Sequence, residues 1–232
     1  MDVGVVIVAA GSGKRMGAKR NKLWLELEGK SILAHTVERF VTHPEIQEVI
    51  LVVSEQDQAA VSQWLDTVPF KEQVKVTLGG AERQDSVRAG LEVLDHATHF
   101  VLVHDAARPF ITSEQINAII SRVRQDNAIV LAVPVKDTIK VVNHAGIVES
   151  TPARESLWAI QTPQAFRVSL LREAHQKALQ SGQIGTDDAM LVEWLGAPVS
   201  ILQGSYENIK ITTPDDLWFG QEILRKRREQ ER

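Results

Sequence analysis

Residues 3–17 read VGVVIVAAGSGKRMG, and the junction inside them decides the fold. The first six are glycine, valine and isoleucine, which suits a short strand buried on both faces. A turn of small residues follows: Ala9, Ala10, Gly11, Ser12 and Gly13. Such a turn at the C-terminal end of a first parallel strand lets backbone N–H groups approach phosphate oxygens with no Cβ in the way. Two familiar versions fail here. The pattern G-x-x-x-x-G-K-[ST] needs Gly and Ser or Thr where Val8 and Arg15 stand, and G-x-G-x-x-G needs glycine at Met16. Glycine alone leaves a plain strand-to-helix turn equally open. The charges add weight to a phosphate loop. Lys14, Arg15, Lys19, Arg20 and Lys22 crowd into nine residues of a chain whose formal charge is −4. A polyphosphate explains such a cluster through charge-assisted hydrogen bonds; a solvated basic loop is the other reading.

Outward from that junction, short β-branched runs alternate with amphipathic stretches. Residues 48–53 (EVILVV), 74–78 (VKVTL), 99–103 (HFVLV) and 128–134 (AIVLAVP) read as strands. Helices are expected at 32–41 with Ser31 as N-cap, at 59–65, at 85–94, and at 113–124 capped by Ser113. This alternation predicts an α/β fold, a Rossmann-like, mainly parallel sheet flanked by helices. From Val135 the rhythm changes. Residues 136–148 alternate in short pieces around Asn143-His144-Ala145-Gly146, a hairpin-like turn, and predict a protruding β-arm over about 136–154. Beyond it come helices at 168–180 and 186–195, strands at 199–202 and 207–211, and a last helix from Pro214, whose fixed φ and following acids suit a first turn. The whole of 1–232 reads as one domain with an arm.

Composition bounds the function. Apolar residues make up 44% and charged residues 24%, the balance of a globular chain. With no cysteine, disulfides, thiolate nucleophiles and cysteine-ligated metals are excluded. A mildly acidic chain is not expected to bind nucleic acid in general. The apolar start, residues 3–10, is far shorter than the roughly 20 residues of a membrane span, and its basic residues follow rather than precede it, so a cytoplasmic chain without a membrane segment is expected.

Two further segments carry candidate chemistry. His104-Asp105-Ala106-Ala107-Arg108-Pro109 follows the strand at 99–103, which puts Asp105 and Arg108 at the edge where open α/β sheets bind ligands. Asp105 could take Mg²⁺ or a hydroxyl and Arg108 a phosphate; alternatively the two brace a loop. His104 reads as packing. Gly79-Gly80-Ala81-Glu82-Arg83-Gln84-Asp85-Ser86 gives close backbone approach at Gly80 and a hydroxyl at Ser86, or else a simple turn into a helix. Thr186 before two aspartates reads as an N-cap, and the five tryptophans as core filling.

Taken in order, AAGSGKRMG with Lys22, HDAARP, PVKDTIK, TPQAF and NIKITTPDDL resemble the 2-C-methyl-D-erythritol 4-phosphate cytidylyltransferases of the non-mevalonate isoprenoid pathway. The likeness runs from Val3 to Leu217. One departure is local: members often carry Pro-Lys-Gln where this chain reads Asn21-Lys22-Leu23. The resemblance implies a nucleotidyltransferase-type fold, CTP and methylerythritol phosphate as substrates, Mg²⁺ as cofactor, and a homodimer with shared active sites. It implies that Arg15 and Lys22 stabilise the transition state. Ala9, Ala10, Gly11, Ser12, Gly13, Gly80 and Ser86 would hold the nucleotide, and Arg154 and Lys210 would position the polyol phosphate. Thr138, Asp105 and Arg108 would serve their own subunit's pocket, with Arg154, Thr162 and Thr186 reaching the neighbour's. Ribitol 5-phosphate cytidylyltransferase is the nearest rival; a non-catalytic nucleotide-binding regulator and a nicotinamide-dependent reductase come from other classes.

Overall fold

The computed structural model describes residues 2–11 and 21–230. In chain order come β1 (Val3–Val8), β2 (Glu26–Leu27), β3 (Lys30–Ser31), α1 (Ile32–Val41), β4 (Ile46–Val53) and α2 (Gln58–Leu65). Then follow β5 (Val74–Leu78), α3 (Arg83–Val93), β6 (Phe100–Asp105), α4 (Ser113–Asp126), β7 (Ala128–Pro134), β8 (Val141–Val142) and β9 (Val148–Ser150). The chain continues with β10 (Trp158–Arg167), α5 (Val168–Ser181), α6 (Asp188–Trp194), β11 (Ser200–Gln203) and α7 (Pro214–Gln230).

Seven strands form one sheet in the order β11-β7-β10-β6-β1-β4-β5. All neighbours pair in parallel except β10, which runs antiparallel between β6 and β7. Side chains along each strand alternate between two apolar layers. Val5 and Ile7 of β1, with Val49 and Leu51 of β4, join Val37 and Phe40 of α1 and Ile116 and Ile120 of α4. Val6, Ile50 and Val52 turn the other way, onto Val87 and Leu91 of α3, near Leu171 of α5 and Val192 of α6. Gly90 lets α3 close on the sheet, for a Cβ there would sit 2.5 Å from Val6 Cγ1.

Several local expectations change. Ser31 does cap α1, accepting from the Ala34 N–H at 3.1 Å. The cap of α4 is Thr112 rather than Ser113, in a box with Gln115 that satisfies two terminal N–H groups reciprocally. Likewise Asp187, not Thr186, caps α6. Residues 207–211 form no strand. They cross the C-terminal ends of the sheet, tied by Ile211 N–H to the Ala107 carbonyl at 2.8 Å. Trp218 is 60% exposed and fills no core. Strand β10 has no counterpart among the strands that the sequence pattern predicts.

The hairpin at 141–150 is present as its own two-stranded sheet. Asn143 shapes its turn, its Oδ1 accepting from the Ala145 and Ile147 N–H groups at 3.0 Å each, and Gly146 takes φ +79°. Val141, Val142, Ile147 and Val148 are all exposed along it.

Candidate active site

The order of the sheet creates the site. From β1 the chain passes through α1 to β4 on one side, while β6 lies on the other, and α1 and α3 pack on opposite faces. Ligands of open α/β sheets bind beyond the strand ends at such a switch. Val8, the last residue of β1, pairs there with Asp105, the last of β6. A cleft of about 420 Å³ opens above them.

One wall is backbone. Ala9, Ala10 and Gly11 leave β1 along the cleft, with the Ala9 N–H bonded to the Val52 carbonyl at 2.7 Å. Gly80 and Ser86 face them. The Gly79 backbone is pressed between the two: a Cβ on it would lie 2.5 Å from Ser86 Oγ and 2.6 Å from Ala10 Cβ. Ser86 Oγ accepts from the Gly80 N–H at 3.3 Å and donates to the Glu82 carbonyl at 3.2 Å. It therefore shapes the turn as well as lining the cleft.

The other wall is charge. Asp105 Oδ2 lies 2.8 Å from Lys210 Nζ, its Oδ1 is 3.3 Å from Arg83 Nε, and Arg108 Nε stands 3.9 Å from Oδ2. Arg83 also reaches Asp188 Oδ2 at 2.6 Å, and the other oxygen of Asp188 meets His175 Nε2 at 3.2 Å. Burial by itself would raise the pKa of Asp105, but the Arg83 and Lys210 charges hold it well below the usual carboxylate range. Arg83 is half-buried, which by itself would lower its pKa, yet Asp188 and Asp105 keep it firmly protonated. Asp105 thus stays an anion at neutral pH among three cations.

Lys22 lies across the cleft, on a short 3-10 turn from Lys22 to Trp24, with Nζ 2.7 Å from the Ile211 carbonyl. Lys210 and Thr212 arrive on the crossing segment that follows β11. The structure thus brings Lys22, Asp105, Lys210, Gly80, Ser86, Ala9, Ala10 and Gly11 together. Ser12, Gly13 and Arg15 lie outside the described residues.

Other expected residues fall elsewhere. Arg108 serves the loop, donating from Nη1 to the Asn208 carbonyl at 2.8 Å. Thr162 does not face outward to a neighbour. It is buried, its Oγ1 accepts from the Asp105 N–H at 3.0 Å, and its hydroxyl can donate to His104 Nδ1 at 3.2 Å. His104 Nε2 then donates to the Arg108 carbonyl at 3.0 Å. Burial pushes His104 down to about 4, so it is a neutral strut. Thr138 and Arg154 were expected at different subunits' sites, yet Arg154 Nη2 donates to Thr138 Oγ1 at 3.1 Å and the pair sits together at the hairpin. Neither lines the cleft, and Thr186 is exposed with its hydroxyl 3.6 Å from Met190 Sδ.

Sequence reasoning missed Arg83, because GGAERQDS reads as a glycine turn and the partner Asp188 is 105 residues away. It also missed Asn208, whose Nδ2 donates to the Thr162 carbonyl at 2.9 Å and so fixes the strut under Asp105. Among the described residues no group of three or more histidine, aspartate or glutamate side chains could hold a metal ion. Both Asp105 oxygens are engaged by cations, so a divalent ion fits better on the oxygens of a bound triphosphate than on this carboxylate. No helix among the described residues is long and apolar enough to cross a membrane.

Comparisons with known proteins point to one family and its fold. The model of the 2-C-methyl-D-erythritol 4-phosphate cytidylyltransferase family matches residues 3–226. A protein of that name from Alkaliphilus metalliredigens is 50% identical over 230 residues, covering 99% of this chain and 95% of the relative. The crystal structure of 4-diphosphocytidyl-2C-methyl-D-erythritol synthase from Anaerococcus prevotii is similar, with TM-score 0.86 at 33% identity over 97% of this chain and 96% of that one. The cytidylyltransferase structure from Thermus thermophilus gives 0.80 at 32% identity, covering 97% and 100%.

Proposed function

The chain belongs to the 2-C-methyl-D-erythritol 4-phosphate cytidylyltransferase family, and from that premise we propose how its cleft performs the reaction. The enzyme transfers the cytidylyl group of CTP to methylerythritol phosphate in isoprenoid biosynthesis, giving 4-diphosphocytidyl-2-C-methyl-D-erythritol and pyrophosphate. A phosphate oxygen of the alcohol phosphate forms a bond to the α-phosphorus, and the bond to the β-phosphate bridging oxygen breaks. That nucleophile is already anionic near neutral pH, so no general base is needed. The difficulty is bringing two anions together in line, which calls for positioning and electrostatics.

The observation that carries this reading is the pairing of two walls in one cleft. A backbone turn suited to phosphates faces an ionised Asp105 ringed by Lys210, Arg83 and Arg108. In the proposal Ala9 to Gly13, Gly80 and Ser86 hold the nucleotide. Lys22, with Arg15, neutralises charge that builds on the phosphates. Asp105 accepts hydrogen bonds from hydroxyls of the polyol, and Lys210 meets its phosphate. Mg²⁺ carried on the triphosphate would supply further charge neutralisation. Thr162 supports Asp105 from below.

The arm belongs to the same proposal. The Arg154–Thr138 pair and the exposed Val141, Val142, Ile147 and Val148 support a homodimer in which one subunit's arm completes the other's site. A cytoplasmic location accords with a CTP-consuming step. The test is pyrophosphate release with CTP and Mg²⁺, with methylerythritol phosphate and ribitol 5-phosphate in parallel. Release with the first alone is expected; release with ribitol 5-phosphate alone overturns the substrate reading and keeps the mechanism.

A further inference from the structure

Asn21 and Asp57 occupy positions that the reaction scheme leaves unused. The Asn21 side chain has two donor hydrogens and one acceptor oxygen to satisfy, and three partners surround it. Its Nδ2 donates to Asp57 Oδ2 at 2.7 Å and to the Gly11 carbonyl at 3.3 Å, while its Oδ1 accepts from the Leu23 N–H at 3.2 Å. Gly11 is the last described residue of the turn after β1, and Leu23 follows Lys22 inside the 3-10 turn. One amide therefore joins the turn that faces the nucleotide to the turn that carries the lysine.

Asp57 anchors that amide. It stands at the N-cap position of α2, where an aspartate ordinarily accepts from the helix's own first N–H groups. Here it makes no such side-chain bond. Its Oδ2 instead receives Asn21 Nδ2 and the Ser54 hydroxyl, the latter also at 2.7 Å. Ser54 directly follows β4, so the anchor is fixed to the central sheet. A carboxylate diverted from its own helix toward an amide that spans two active-site turns is a positioning device.

We propose that Asn21 is a positioning residue for Lys22, a clasp held by Asp57 that fixes the lysine against the Gly11 end of the nucleotide-binding turn. The inference rests on the reading that Lys22 acts at the phosphates. In this chain the amide gives a hydrogen to Asp57 and to the Gly11 carbonyl and takes one from Leu23, three bonds that its donors and acceptor match. A carboxylate at position 21 would have no hydrogen to give to Asp57 or to the Gly11 carbonyl and would repel the first.

The experiment is a charge-swap cycle with Asn21→Asp, Asp57→Asn and the double variant, measured by pyrophosphate release with CTP and methylerythritol phosphate. Misplacement of a reacting group by about 1 Å lowers rates by on the order of 10²-fold. Asn21→Asp is expected to lose kcat on that scale, with KM for methylerythritol phosphate unchanged. Its activity should partly return on acidification, when the two carboxylates can share a proton. In the double variant the amide at position 57 donates to the carboxylate at 21 and accepts from Ser54, which restores the link to α2 but not the bond to the Gly11 carbonyl, so kcat returns in part. Because the double variant keeps the bond, a folding defect confined to Asn21→Asp does not decide the matter. Normal kcat in Asn21→Asp, or a double variant no better than it, overturns the proposal. Lys22→Ala separates the two readings: full turnover there refutes the role of Lys22, whereas its collapse beside a normal Asn21→Asp refutes the clasp alone.

Discussion

Replacing Arg83 by Met keeps the aliphatic reach of the side chain and removes the guanidinium that bridges Asp105 and Asp188. The side chains of those acids are 11% and 1% exposed. Breaking a buried ion pair from one side costs about 3–5 kcal/mol. The lower end applies, because 27% of the Arg83 side chain is exposed and Lys210 and His175 remain as partners. For a chain of 232 residues, about 3 kcal/mol corresponds to a melting temperature lower by about 6–12 °C. The effect depends on pH, and the sign follows from the charges. In the native protein burial raises both carboxylates' pKa values, but Arg83 together with Lys210 and Arg108 at Asp105, and with His175 at Asp188, outweighs it, and both sit below the ordinary range. Their contribution is therefore present above about pH 4 and fades as pH falls through the depressed values. Without Arg83, burial dominates at Asp188 and its pKa rises. A group with a raised value destabilises the fold above that value and less so below it. The melting deficit is expected to be greater at about pH 7.5 than at about pH 5, read by circular dichroism on both proteins. An equal deficit at the two pH values, or one below about 2 °C, refutes the account of this pair.

Lys22→Ala is expected to lower turnover by about 10²–10³-fold with the melting curve retained, by analogy with a lost oxyanion donor; near-normal turnover removes Lys22 from the chemistry. Gly79→Ala places a methyl against Ser86 Oγ and Ala10 and should raise KM for CTP about tenfold, equivalent to about 1.4 kcal/mol, in a CTP titration. Mixing Lys22→Ala with Arg154→Ala subunits should give more activity than either alone if the arm completes the partner's site, and none if each site is self-contained. His104, neutral with its pKa near 4, binds a proton in the unfolded chain below about pH 6.5 and not in the folded one. Stability is therefore full above that pH and falls between about 6.5 and 4 by up to about 1.4 kcal/mol per pH unit, a slope that His104→Gln should flatten.

Much of the sheet was legible because its strands advertise themselves locally. VGVVIV, VKVTL and AIVLAVP are short β-branched runs, and β1, β5 and β7 begin and end where the pattern says. Strand β10 hid for the opposite reason. Its middle, Gln161 to Gln164, is polar or proline yet buried, since those groups brace Asp105, Asn208 and α6. Residues 207–211 misled because Ile209 and Ile211 alternate with polar neighbours as in a strand, while the alternation here seats Ile211 in the core and turns Lys210 to the cleft. The motif residues themselves were readable, since Asp105 and Lys22 lie beside strong local signals. Arg83 was not, because nothing in its neighbourhood announces a carboxylate from α6. Thr162 was assigned to the neighbour's site by the resemblance alone, whereas β10 buries it beneath Asp105.

The most direct test of the central claim is a ³¹P spectrum of the protein with CTP, Mg²⁺ and methylerythritol phosphate. Attack by the alcohol's phosphate at the α-phosphorus predicts the paired doublets of a new unsymmetrical diphosphate, appearing in step with free pyrophosphate. Pyrophosphate accompanied by CMP alone, or an unchanged CTP spectrum from folded protein, would contradict it.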